Sequence, residues 1–359
     1  MAARVVLHIG VMKSGTSFIQ QVLLANRKRL AKEGILFPGP RWRDQVVAVR
    51  DLMAHDAEGE NALAPDGAWR RMVAQITQWP GTAVVSMEYL GPRDEDKIRI
   101  IAESFPDADI QVVLTARDLA RSVASMWTES VQNRAYATWP AYLRSVRAER
   151  IDNAGRAFWR QQRVHEIAER WSRVVGHDHF TLITVPPRGA PPGLLWERFC
   201  DVAGIPAGLC DLDVPRNAAL DAPSAMVMRA LNERLAGGSL STEDYHRFVK
   251  KGLAKNGINE RPGRGKSVGL RERWVLRKAE GELAKLRALD LRVVGDLDEL
   301  TSRAVPGVNP STVSPEDQLE AAIDGMAALI ELWVADVRRH RKKTKKLRAR
   351  LRALEKAGQ

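Results

Sequence analysis

Cysteine is nearly absent from this chain: Cys200 and Cys210 are the two thiols among 359 residues. They make neither a disulfide framework nor the CxxC spacing of a zinc or redox centre, and they read as small buried apolar residues. Long hydrophobic runs are also missing. No stretch approaches the roughly 18–20 uncharged apolar residues that cross a bilayer. The apolar run Val5–Ile9 is too short for a secretory signal, so a reduced, cytoplasmic protein is expected. Aromatic residues amount to 6%, yet 45% of the chain is hydrophobic and 28% charged, which suits a large packed core and excludes a disordered chain.

Acidic residues are scarce in one place. The net charge is +12, and Arg338 to Lys356 carries eleven Lys and Arg against the single acid Glu355. The body is therefore close to neutral, and the high isoelectric point belongs to a tail. Such a tail suits an anionic membrane surface or an acidic partner. Aromatics do not interleave its charges beyond Val337, so no specific nucleic-acid binding is expected. Metal-site patterns are missing as well: the seven histidines are scattered.

What is present is an alternation of short β-branched runs with longer helical patterns, the signature of a parallel sheet flanked by helices. Strands are expected at Val5–Ile9, Thr82–Ser86, Ile110–Thr115, Phe180–Val185 and Leu291–Val294, each apolar enough to be covered on both faces. Helices are expected near 16–32, 94–104, 118–134, 155–175, 192–203, 221–236 and 270–288. Lys251 to Lys266 reads as a polar loop and Ala304 to Pro315 as a linker. Two parts follow: an α/β domain over 1–305, then a linker and C-terminal basic helix over 306–359. In that helix Leu319, Ile323, Met326, Ile330, Trp333 and Val337 form a stripe suited to packing on the body. Leu347, Leu351 and Leu354 continue it at 4/3 spacing, which suits protrusion or pairing with another helix.

Three expected strand ends carry chemistry, and strand ends of parallel sheets are where ligands sit. After the first comes His8-Ile9-Gly10-Val11-Met12-Lys13-Ser14-Gly15-Thr16-Ser17-Phe18, a Gly- and hydroxyl-rich turn leading into an amphipathic helix. Backbone N–H groups and the helix dipole there favour an anion. Lysine precedes the second glycine by two residues, whereas a Walker A loop places it directly after that glycine. The second strand runs into Ser86-Met87-Glu88, a carboxylate suited to act as a general base. His8, its rival, is expected to pack inside the first strand. His177 and His179 flank a strand start, at the opposite end. The third strand ends in Arg117-Asp118, with Ser125 eight residues beyond Arg117 and Asp118 as a helix N-cap. Asp296 and Asp298 read as caps after the last strand.

The loop resembles the 5′-phosphosulfate loop of the sulfotransferases that use 3′-phosphoadenosine 5′-phosphosulfate (PAPS), and Arg117 with Ser125 has the spacing of that family's 3′-phosphate site. The likeness covers the first 130 residues and, loosely, Phe158–Gly204. It implies a P-loop-like three-layer α/β fold, PAPS as cosubstrate and no metal. It implies that Lys13 stabilises the leaving oxygen and that Ser14, Gly15, Thr16 and Ser17 hold the 5′-phosphate. Arg117 and Ser125 would read the 3′-phosphate, and Glu88 would deprotonate a hydroxyl or amine acceptor. Lys250-Lys251-Gly252 and Arg264-Gly265-Lys266 faintly resemble the family's loop over the 3′-phosphate, beside a plain solvated-loop reading. Trp42 is the early candidate for stacking on adenine. Carbohydrate, glycolipid and small-molecule acceptors all stay open, as does the oligomeric state. The rival functions are a P-loop kinase of a small molecule or nucleoside, and a non-catalytic anion-binding protein that works through its basic tail.

Overall fold

A computed structural model describes residues 2–56, 63–64, 66–149, 153–215, 219–260 and 265–357. In chain order its elements begin with β1 (Arg4–Gly10), α1 (Thr16–Ala25), α2 (Arg27–Lys32), β2 (Ile35–Leu36), α3 (Trp42–Ala54), α4 (Ala68–Thr77) and β3 (Thr82–Ser86). Next come α5 (Glu95–Glu103), β4 (Asp109–Ala116), α6 (Leu119–Gln132), α7 (Trp139–Ala148), α8 (Asn153–Gln162), α9 (Val164–Val175) and β5 (Phe180–Thr184). The chain ends with α10 (Leu194–Ala203), α11 (Ala222–Leu235), α12 (Thr242–Asp244), α13 (Arg273–Arg287), β6 (Arg292–Val294) and α14 (Pro315–Ala357). Two compact units result. The first comprises Met1–Met126, Leu143–Asn217 and Arg271–Val305, and the second Trp127–Tyr142, Ala218–Leu270 and Pro306–Gln359.

The first unit is a three-layer α/β body around a six-stranded sheet in the order β2-β3-β1-β4-β5-β6, with every pairing parallel. The five expected strands are all there. Burial of both faces is visible along β1: Val5, Leu7 and Ile9 join one apolar cluster, whereas Val6 joins the other with Val84, Val113 and Ile183. Strand periodicity of two thus delivers alternate residues to two separate helix layers. The winding of the chain reverses around β1, which lies between β3 and β4. That reversal opens a crevice at the carboxyl ends of these strands.

Several elements depart from the sequence reading. The helix expected over 16–32 is broken at Asn26, whose side-chain amide donates to Val22 O (2.9 Å) and Asp211 O (2.8 Å) and accepts from Asp211 N. The helix expected over 155–175 breaks at Arg163, where the backbone leaves helical values (φ −78°, ψ 78°). Helices α3, α4 and α7 and the two-residue strand β2 were not foreseen, because their apolar periods are short and interrupted by charge.

The second unit is helical. Asn232 of α11 is buried and donates to Val131 O (2.7 Å) and Ala135 O (2.9 Å), while the Tyr245 hydroxyl donates to its Oδ1 (2.7 Å). The expected loop from Lys251 starts as helix instead: Tyr245–Lys255 is a π-helical stretch continuing α12, with Tyr245, Val249 and Ala254 buried. The tail stripe also differs from expectation. Leu319, Ile323, Met326, Ile330 and Trp333 are exposed, and the opposite face of α14 packs instead. Small residues explain the choice. Ala321 is fully buried, a Cβ on Gly325 would lie 2.8 Å from Ile258 Cγ1, and Ala328 Cβ lies 3.3 Å from where Gly257 would carry one. Close approach on that side leaves the large side chains outward.

Candidate anion-binding active site

β1 ends at Gly10, and the chain turns through Val11–Gly15 into α1. Lys13 and Gly15 adopt left-handed backbone values (φ 66° and 85°), and Gly10 does so at φ 93°. The N-cap of α1 is Gly15, so no side chain closes the helix end, and its first turn holds no acid. The helix dipole and the first-turn N–H groups there favour an anion. Thr16 is buried at the first helical position, Ser17 exposed at the second, and Lys13 half-buried on the turn. Gly15 has a second reason to be glycine: a Cβ would sit 2.4 Å from Leu195 Cδ2 of α10.

Ser14 faces inward. Its hydroxyl donates to Val11 O (2.6 Å) and lies 2.7 Å from Thr115 Oγ1 at the end of β4. Thr115 Oγ1 in turn lies within hydrogen-bond distance of His8 Nε2 (3.1 Å) and Gly10 O (3.2 Å), and His8 Nδ1 meets Ser86 Oγ at 2.7 Å. His8 is the hub that ties β1, β3, β4 and the turn together. Complete burial pushes its imidazole down to about 3, so it is neutral and structural. The polar hub is fully partnered, which rigidifies the turn. The turn is also held from outside the sheet: Gln162 Nε2 of α8 donates to Met12 O at 2.8 Å.

Glu88 follows β3 by two residues and packs against Gly10, where an added Cβ would lie 2.7 Å from Glu88 Cβ. Gln20 of α1, buried, donates from Nε2 to Glu88 Oε2 (2.9 Å) and Ser86 O (3.1 Å). That amide fixes one carboxylate oxygen and leaves the other as acceptor. In the sequence Gln20 shows as a polar residue interrupting the apolar face Phe18, Ile19, Val22 and Leu23.

Arg117 leaves the end of β4. Its Nη2 donates to Ser125 Oγ (2.8 Å) and to Arg121 O (2.8 Å), while its buried Nε has no hydrogen-bond partner. Asp118 caps α6 by accepting from Arg121 N at 2.9 Å and also pairs with the Arg121 guanidinium. Burial and then the charge of Arg121 push Arg117 down to about 10; Asp118 opposes and Arg188 reinforces the shift. Arg188, on the loop after β5, was not singled out from sequence. The buried Arg117 guanidinium thus keeps one N–H without a partner beside the Ser125 hydroxyl, a donor pair suited to an anion.

A second basic group gathers at Arg93. Arg170 Nε donates to Arg93 O (3.0 Å), the buried Arg93 Nε has no partner, and burial followed by Arg160 and Arg170 lowers the Arg93 guanidinium. The carbonyl of Gly91, two residues earlier, accepts from Trp171 Nε1 at 3.0 Å.

The remaining sequence candidates lie elsewhere. Trp42 is the first residue of α3 and exposed. His179 meets Asp109 at 3.1 Å at the amino end of the sheet, away from the turn. Asp296 caps the turn Leu297–Leu300. Lys250 is paired with Glu129 (3.4 Å) in the second unit, Lys251 is exposed on the π-helical stretch, and Gly265 N donates to Asp221 Oδ2 (2.7 Å). Arg264 lies outside the described residues. Both cysteines are buried, with thiols pushed up to about 12 and about 11. Among the described residues no group of three or more His, Cys, Asp or Glu side chains is arranged to hold a metal ion. Among them, too, no helix is long and apolar enough to cross a membrane.

No family model and no curated protein matches the chain. Among solved structures it is similar to a sulfotransferase from Alicyclobacillus acidocaldarius, at 16% identity over 59% of this chain and 85% of that one, with a TM-score of 0.40. Likeness of that order leaves activity to be argued from the site itself.

Proposed function

We propose that the chain is a sulfotransferase that transfers the sulfuryl group of PAPS to a hydroxyl, less readily an amine, in the cytoplasm. One observation carries the reading. Adjacent strands β3, β1 and β4 end in a carboxylate, an uncapped helix N-terminus with a lysine, and an arginine–serine pair. The donor set fits the nucleotide. The orphaned Arg117 Nε with Ser125 Oγ suits a 3′-phosphate, and the end of α1, closed by no side-chain cap and without an acid in its first turn, suits a 5′-phosphosulfate.

PAPS supplies an activated sulfuryl group with a good leaving anion. Lys13, on the turn, stabilises negative charge as it grows on the leaving oxygen. Thr16 and Ser17 present hydroxyls and first-turn N–H groups to the 5′-phosphate, while Ser14 and Gly15 shape the turn. Glu88, oriented by Gln20, takes the acceptor's proton. The acceptor is a carbohydrate, a glycolipid or a small molecule.

Thermal-shift titration tests the reading. Adenosine 3′,5′-bisphosphate without metal should raise the melting temperature in proportion to its binding. A rise with ATP and magnesium, and none with the bisphosphate, overturns it in favour of a kinase. Transfer of labelled sulfate from PAPS onto polar and lipid extracts then identifies the acceptor.

A further inference from the structure

Helix α14 is 43 residues long, about 64 Å at 1.5 Å per residue. Its buried side is built from Ala321, Gly325 and Ala328, which pack within the second unit. Its opposite side carries Leu319, Ile323, Met326, Ile330, Trp333 and Val337, exposed by between 37% and 70%. A contiguous apolar stripe about 27 Å long is more than a monomeric surface ordinarily leaves in water.

The stripe has a strict 4/3 spacing, a period of 3.5 rather than 3.6, which is the seam of a coiled coil. Ile323, Ile330 and Val337 take the a positions, and Leu319, Met326 and Trp333 the d positions. His340, Thr344 and Leu347 continue the register in sequence. The packed residues Ala321, Gly325 and Ala328 fall at c and f, directly opposite the seam. Docking of α14 onto its own unit therefore leaves the seam whole.

Charge decides the occupant and its direction. Residues 315–337 hold six acids and no Lys or Arg, whereas 338–350 hold nine Lys and Arg and no acid. An anionic membrane fits poorly, because the apolar stripe lies in the acidic half and the basic half has few apolar residues. A parallel pair would set acid beside acid and base beside base. An antiparallel pair sets each acidic half against a basic half. The a and d positions then match along the whole overlap. Trp333 meets Val337 of the second copy, Ile330 meets His340, Met326 meets Thr344, and Ile323 meets Leu347. His340 and Thr344 each face an apolar residue in this register, so charge complementarity and not seam polarity sets the pairing.

We propose that α14 is a self-association helix that joins two copies of this chain through an antiparallel coiled coil. The inference is independent of the sulfotransferase reading.

Light scattering on the full chain, with disulfide trapping, tests it. The wild type should have the mass of a dimer, and Ile323→Glu with Ile330→Glu should give a folded monomer with unchanged nucleotide-induced melting shift. Ile323→Cys combined with Leu347→Cys should form a covalent dimer on oxidation, and neither single variant should. Cross-linking of the single Ile323→Cys variant overturns the antiparallel pairing. A monomeric wild type at micromolar concentration overturns the self-association, as does a monomer that binds vesicles of anionic phospholipid through the stripe.

Discussion

Gly10 and Glu88 touch so closely that a Cβ on the glycine would lie 2.7 Å from Cβ of the glutamate. Glu88 is therefore held against the start of the turn after β1, and the backbone of Gly10 adopts φ 93°, which side chains disfavour. Gly10→Ala should destabilise the protein by about 1–3 kcal/mol through strain and clash together. It should also displace Glu88. Chemical denaturation measures the first effect, and loss of sulfate transfer exceeding the loss of folded protein measures the second.

Lys13 is on the turn but outside the His8 hub, so removing its charge should not unfold the sheet. Lys13→Ala should lower kcat by about 10²–10³-fold or more, the size of one preorganised donor at a developing charge. The melting temperature should stay near that of the wild type. Near-normal turnover in this variant would refute the role given to Lys13. Glu88→Gln should likewise lower kcat while leaving the affinity for adenosine 3′,5′-bisphosphate intact, because the acceptor and not the nucleotide needs its base.

Arg117 and Ser125 should discriminate nucleotides rather than speed the reaction. Arg117→Ala removes charge-assisted hydrogen bonds to a 3′-phosphate, a loss of about 1.5–3 kcal/mol or roughly 10–100-fold in affinity. Adenosine 5′-phosphate, which lacks the 3′ group, should bind the variant and the wild type alike. Calorimetric titration with the two nucleotides reads the difference. Equal losses for both would place Arg117 elsewhere than the 3′ end.

His8 should make stability depend on pH. Its folded value of about 3 lies below the ordinary 6.5, so between these the unfolded chain binds a proton that the folded chain excludes. Stability from this source is complete above about pH 6.5 and falls as the pH drops towards 3, with a limiting slope of about 1.4 kcal/mol per pH unit. His8→Gln keeps a polar side chain in the hub and removes the titration. Its stability should change less steeply over that window than the wild type's, whatever the offset between them at neutral pH.

Much of the site was legible in the chain because its parts are local. A strand, a turn with positive-φ glycines and a helix follow one another within Val5–Leu23, and Arg117 meets Ser125 because α6 begins two residues after Arg117 and brings Ser125 round to it. Interruptions were less legible. Asn26 and Arg163 break helices through side-chain bonding and backbone geometry set by segments distant in sequence, so a periodicity count passes over them. Gln20 and Gln162 were missed for a related reason: an isolated glutamine on an apolar face gains meaning only from the carboxylate or carbonyl it meets.

The sequence by itself determined the strands, the glycine-rich turn after β1 and the charge polarity of α14, since each depends on neighbours along the chain. Tertiary structure alone decided that β3, β1 and β4 lie side by side, because strand order follows from how helices cover both faces of the sheet. It also decided which face of α14 is buried. Small residues at 321, 325 and 328 permit closer backbone contact than the large stripe does, and the stripe is left for another surface.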